Sequence, residues 1–220
     1  MAIAFDATSD GGQGNPVASL TFSHTCTGSN RFLVVAVMGS TVADRITGVT
    51  YAGTAMTRLD VFQILSGDRY VYLYYLVNPA SGANNIVISS SPDDFIAGCG
   101  ASYNGVKQTG QPDASQTTTA YNLTINNTLT TIANNCWHLG GGYSANGVNA
   151  GAGTTRRIMV SGGAQMALFD NDGAITPAGS HTIQMTNNND TYLAGIIGLS
   201  IAPYLESVTG ASLLMQLATA

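Results

Sequence analysis

Charge is what this sequence has least of. Only 9% of its 220 residues are Asp, Glu, Lys or Arg, where an ordinary soluble domain carries about 25%. Lys107 is the one lysine and Glu206 the one glutamate. Solvent-facing helices draw on Lys, Glu, Gln and Arg, so the composition excludes a largely helical protein. With 7 basic residues and a net charge of −5, the chain lacks the basic face that a nucleic-acid backbone requires. Cysteine is scarce as well. Cys26, Cys99 and Cys136 are odd in number and widely spaced, which excludes a zinc-type CxxC framework and argues against a disulfide scaffold. Such thiols behave as small buried hydrophobes in a reducing compartment. Met1 to Asp6 has no basic segment leading into an apolar run, and no stretch approaches the roughly 18 apolar residues of a membrane span. The expectation is synthesis in a cytoplasm, without export and without a membrane.

In place of charge stand Thr, Asn, Ser and 26 glycines, residues that suit strands and turns. Short apolar runs between turn-forming clusters recur along the chain. Strands are expected at Phe32–Met38, Ile46–Tyr51, Tyr70–Val77, Asn85–Ser89, Ile96–Tyr103, Trp137–Tyr143, Ala164–Phe169, Thr182–Thr186 and Tyr192–Ile201. Repeated short strands without intervening helical periodicity predict an all-β sandwich or barrel.

An internal repeat runs through this pattern. Leu20-Thr-Phe-Ser-His-Thr25 matches Leu123-Thr-Ile-Asn-Asn-Thr128, and Pro79 to Ile86 matches Pro177 to Ile183. Ala97-Gly-Cys-Gly-Ala-Ser-Tyr103 matches Ala194-Gly-Ile-Ile-Gly-Leu-Ser-Ile201, with the Phe32 and Trp137 strands in corresponding places. Three anchors in the same order at offsets of about 100 define two related halves, about 20–103 and 123–201. The polar stretch Gly105–Ala120 reads as a linker or a crossover between sheets. The second half is glycine-dense and poor in bulky residues between Leu139 and Ile158, so one continuous sandwich over residues 1–203 is favoured over two independent domains.

Several segments together resemble a family of jelly-roll-like β-sandwich modules of tailed-phage structural proteins and uncharacterised bacterial surface proteins. They are Ser29-Asn-Arg-Phe-Leu-Val-Val-Ala-Val37, Val49-Thr-Tyr-Ala-Gly-Thr-Ala-Met56, Leu73-Tyr-Tyr-Leu-Val-Asn-Pro79, Ala101-Ser-Tyr-Asn-Gly-Val106 and Ala194–Ile201. The resemblance covers roughly residues 4–203. It implies an antiparallel jelly-roll-like sandwich and a non-enzymatic building block or binding module.

Catalytic signatures are weak. His24, His138 and His181 fall in separate segments, and Gly100-Ala-Ser-Tyr-Asn104 has Asn where a nucleophile elbow needs its last Gly. The glycine runs 140–142, 151–153 and 162–163 lack the Lys-Ser/Thr of a phosphate loop; they suit loops, or strands packed closely on a neighbour. Asp170-Asn-Asp-Gly173 resembles the opening of an oxygen-ligand loop, which makes Asp170 and Asp172 weak calcium candidates. A hairpin turn explains the same residues.

Two features point to contacts with other molecules. Period-two alternation sets Tyr70, Tyr72 and Tyr74 on one sheet face, a candidate protein interface or glycan platform and equally the inner lining of an ordinary sandwich, the reading favoured here. The last residues, 204–220, form an arm outside the repeat, in which Leu213, Leu214, Met215 and Leu217 are apolar and need a surface to cover them. The expectation is a virion structural protein, a capsid-decoration, head-surface or tail-associated component that binds other virion proteins and copies of itself. The alternative is a secreted or cell-surface carbohydrate-binding or adhesive module.

Overall fold

The computed structural model describes residues 1–39, 43–64 and 69–205. They form β-strands and connecting turns, with no helix among them. The strands are β1 (Ala4–Cys26), β2 (Phe32–Gly39), β3 (Ile46–Tyr51), β4 (Thr54–Ala55), β5 (Thr57–Ile64), β6 (Arg69–Val77) and β7 (Gly82–Asn104). There follow β8 (Ala114–Ala120), β9 (Thr124–Thr130), β10 (Trp137–Tyr143), β11 (Asn149–Ala150), β12 (Thr155–Met159), β13 (Met166–Asp170), β14 (Ser180–Thr186) and β15 (Ala194–Ile201). All their pairings are antiparallel.

Two long strands organise the first half. β1 and β7 pair along their whole length, with register shifts between Phe5 and Ala7 and again between Asp10 and Ser19. Early β7 also pairs with β3, and late β7 pairs with β2. The ribbon folds over on itself there, so that Ile88 of early β7 lies against Gly98 of late β7. One layer is therefore β5-β6-β2-late β7-early β1, and the other is β4-β3-early β7-late β1. Between them lie Leu33, Val35, Val37, Val49, Tyr51, Ile86 and Ile88.

The second half has the same plan with its long strands divided. Its first sheet runs β12-β13-β10-β15-β8 and its second runs β11-β14-β9. The strands with a counterpart in the sequence repeat, β10 for β2, β15 for late β7, β14 for early β7 and β9 for late β1, hold corresponding neighbours in the two halves. Ile125, Phe169, Ile183, Met185 and Ile196 fill the space between these two sheets.

A third apolar layer joins the halves. Phe32, Val34, Ala36 and Met38 on the other face of β2 meet Leu139, Leu168, Ile197 and Leu199 of the second half. β2 is thus buried on both faces, and this is why it reads as an unbroken apolar run. The single continuous sandwich expected from the sequence resolves into four stacked layers, two sandwiches back to back in one body. The glycine-dense β10 permits the stacking. A Cβ at Gly141 would stand 2.7 Å from Leu73 Cδ1 and 3.3 Å from Ala36 Cβ. The scarcity of bulk that seemed to weaken the second half is what lets another sheet approach.

Candidate functional site

Of the polar stretch 105–120, Ala114–Ala120 is an edge strand on β15 rather than a free linker. Asp113, just before it, accepts from Ile132 N at 2.7 Å and from Ser200 Oγ at 3.4 Å. In the first half Asp6 does the same, accepting from Thr27 N at 2.8 Å and from Ser102 Oγ at 2.7 Å. Ser102 and Ser200 are the paired serines of the repeat, both fully buried. Burial acts to raise the Asp6 pKa, but the bonds from Thr27 and Ser102 outweigh it and hold the carboxyl below its usual value. Each aspartate ties the start of its half to the end of the strand beneath.

The tyrosines do share one face, as alternation predicts, and their rings follow one another at 6.2 and 6.4 Å. That face points inward, so Tyr72 and Tyr74 keep only 1% and 3% of their surface and Tyr70 alone is partly exposed. Their role here is to fill the first sandwich. The Tyr72 hydroxyl donates to Asp44 Oδ1 at 2.9 Å, and Arg58 bonds the other oxygen of the same carboxylate at 2.8 Å. Burial, together with Asp44, raises the Tyr72 pKa. An exposed tyrosine platform is not formed by these residues.

The calcium candidates are occupied by a side chain. Arg157 Nε donates to Asp170 Oδ2 at 2.7 Å, and its Nη2 donates to Asp172 Oδ1. Tyr103 Oη gives the buried Asp170 Oδ2 a further bond of 2.7 Å, and Asp172 N donates to Oδ1. The guanidinium lies over the Phe5 ring, 4.4 Å from its centroid. It stands where a cation would stand, and it bridges the two halves across the central layer. Among the described residues no group of three or more His, Cys, Asp or Glu is arranged to hold a metal ion.

Sequence reasoning missed one cluster. His138 on β10 and His181 on β14 face each other, with Nδ1 atoms 3.4 Å apart and rings in an edge contact. His138 Nε2 meets Asn127 Oδ1 at 2.9 Å, while Asn127 Nδ2 donates to the Gln116 and Ile196 carbonyls. His138 is fully buried, and burial together with nearby His181 lowers its pKa to about 3. The ring is neutral at physiological pH. The counterpart of Asn127 in the repeat is His24, equally buried, bonded to Ser9 Oγ at 2.9 Å and lowered to about 4 by burial, against the pull of Asp6. No local motif could have revealed the histidine pair, because it forms between sheets.

Met1 and Leu205 are exposed apolar residues that share a groove. Ile132 is 77% exposed, Leu205 75% and Met1 48%. Leu205 and Pro203 lie on two adjoining grooves of about 720 and 480 Å³, one reaching Lys107 and Ala133, the other Met1 and Trp137. The segment before Leu205 is pinned, with Lys107 N bonded to Ala202 O and Tyr204 N to Gly105 O. Leu213, Leu214, Met215 and Leu217 lie outside the described residues. No helix of the described residues is long and apolar enough to cross a membrane.

Comparison of the chain with family models, with curated proteins and with solved structures finds no match.

Proposed function

We propose that this chain is a non-enzymatic structural protein of a phage or virus particle, a capsid-decoration, head-surface or tail-associated component that acts by burying subunit interfaces. The observation that carries the reading is the pair of grooves at Leu205. Leu205 and Met1 are exposed on adjoining grooves, Ile132 is exposed one residue before the groove-lining Ala133, and the apolar sequence Leu213–Leu217 follows Leu205 along the chain. Clustered exposed apolar side chains mark interaction surfaces. The low charge agrees, since Lys, Glu and Asp are depleted from interface cores. The resemblance of residues 4–203 to jelly-roll-like phage modules supports the same reading, and it extends to the family's mode of work, assembly with copies of itself and with other virion proteins.

Sedimentation of the purified chain tests it. The wild type should sediment as a concentration-dependent oligomer, and Ile132→Asp with Leu205→Asp should shift it to monomer with an unchanged circular-dichroism spectrum. A chain that is monomeric at every concentration, and whose gene has no capsid or tail genes beside it, sinks the proposal.

A further inference from the structure

We infer that the β8 edge of the second half binds a second copy of the chain, β8 pairing antiparallel with β8 of that copy about a two-fold axis at Thr117. Among the described residues β8 and β9 each end their sheet, β8 with only β15 beside it and β9 with only β14. Both run seven residues in unbroken register and carry no charge. Such an edge offers a row of N–H and C=O groups to another chain. Several other edges are guarded against this. β5 carries Arg58 and Asp60 with a register shift between them, and β12 carries Arg156 and Arg157 with a shift after Arg156. β4 and β11 have two residues each.

The edge sequence selects the partner. Two-fold pairing sets each residue opposite its mirror position, and β8 reads almost alike from either end. Ala114 falls opposite Ala120, Ser115 opposite Thr119, Gln116 opposite Thr118, and Thr117 opposite itself. Small residues meet small ones and hydroxyls meet hydroxyls, pairs that stabilise a ladder. Mirror positions are an even number of residues apart, so the outward N–H and C=O groups of one copy meet those of the other. β9 has the same symmetry about Asn127, with Thr124 against Thr130, Ile125 against Leu129 and Asn126 against Thr128. The two centres lie across from each other. Asn127 Nδ2 donates to Gln116 O at 2.8 Å and to Thr118 Oγ1 at 3.2 Å, the residues on either side of Thr117. One axis therefore serves both strands, as an isologous dimer requires.

The strand ends agree with this axis. One step beyond the paired residues, Tyr121 of one copy comes beside Asp113 of the other, and Asp113 Oδ2 holds Ile132 N at 2.7 Å. Tyr121 and Leu123 are 49% and 51% exposed, and Ile132 more so. The axis brings the connector carrying Tyr121 and Leu123 to Ile132 of the other copy, so apolar side chains bare in one chain cover each other in the pair. The edge is also reachable. Phe62 of β5 lies against Gly195 of β15, so β8 stands one strand beyond the edge of the first half. The side chain of Gln116, which bonds Thr117 O, is exposed and can swing aside.

Cysteine cross-linking of the full chain tests the pairing. Facing residues of an antiparallel pair have Cα atoms about 4.5–5.5 Å apart, within disulfide reach. Thr117→Cys oxidised with diamide should give a disulfide-linked dimer on a non-reducing gel. Thr119→Cys is the control: its copies would stand about 14 Å apart at about 3.4 Å per residue, too far to join. Cys26, Cys99 and Cys136 are buried and add no background. Sedimentation supplies a second arm. Ser115→Lys with Thr119→Lys sets like charges opposite and should give monomer, while Ser115→Lys with Thr119→Glu sets opposite charges together and should keep the dimer; circular dichroism establishes that both are folded. Equal cross-linking of the two cysteine variants, or equal sedimentation of the two charge variants, overturns the pairing. Leu205→Asp alone reads the grooves of the particle proposal. Oligomers lost in Leu205→Asp without a Thr117→Cys cross-link overturn the β8 pairing and leave that proposal standing; a specific cross-link in a chain whose gene has no capsid or tail genes beside it does the reverse.

Discussion

At the scale of single residues, burial decides what each ionisable group contributes. Asp170 is fully buried, while its partner Arg157 keeps 13% of its side-chain surface. Removing one member of such a pair leaves an uncompensated charge, so Asp170→Ala should lower stability by about 3–5 kcal/mol. The Arg58–Asp44 pair is 43% and 37% exposed, and the ionic part of its interaction contributes about 0–1 kcal/mol. Urea denaturation of Asp170→Ala and of Arg58→Gln should separate the two cases clearly. The histidines predict the pH response. His138 at about 3 and His24 at about 4 lie below the ordinary 6.5, so protons bind the unfolded chain more readily than the folded one. Their stabilisation is complete above pH 6.5 and falls as the pH drops toward 4, by about 1.4 kcal/mol per pH unit for each histidine. His138→Asn should flatten the slope of the urea midpoint between pH 6.5 and 4. An unchanged slope would mean that His138 does not carry the response.

At the scale of strands and sheets, close approach is the governing demand. A Cβ on Gly198 of β15 would fall on Asn127 Oδ1 and lie 3.0 Å from His138 Nε2. Asn127 is tied to carbonyls on β8 and β15 and cannot give way. At Gly141 the nearest atom is the flexible tip of Leu73. Gly198→Ala should therefore cost about 3 kcal/mol and Gly141→Ala about 1 kcal/mol, within the usual range for overpacking. Chemical denaturation of the two variants checks the order. The sequence made the buried strands legible for a related reason: β2, β3 and β6 carry the apolar residues that two-sided or alternating burial requires. β1 was not legible. Its centre, Asp10-Gly-Gly-Gln-Gly-Asn-Pro16, has the composition of a loop, yet it pairs with β7 through bulges. β5, β8 and β12 were hidden because their exposed faces carry Thr, Gln, Asp and Arg without strict alternation. Alternation identifies the shared tyrosine face without saying which side is covered, so the sequence alone leaves lining and platform both open, and burial decides for the lining.

At the scale of the whole molecule, three apolar layers hold the sheets together. Each half has two sheets and an apolar layer of its own, and the central layer exists only when the halves meet. That layer contains Phe32, Leu73 and Tyr103 from one half and Trp137, Leu168 and Leu199 from the other. The buried Tyr103–Asp170–Arg157 network closes it, its Tyr103–Asp170 bond crossing between the halves. Exposing this layer would free a large apolar surface and break the Tyr103–Asp170 bond at once, so neither half should persist when the other unfolds. The chain carries its own reporter. Trp137 is the one tryptophan and lies in the central layer, 8% exposed, with its ring 6.0 Å from Tyr103. In urea, Trp137 fluorescence, which reads the joint, and far-ultraviolet circular dichroism, which reads all the strands, should trace the same transition. Leu168→Ala, on the second half's side of the joint, should shift both signals together by about 2–5 kcal/mol. If fluorescence changes at lower urea than the dichroism, the halves separate before they unfold, and the central layer is an interface between two domains.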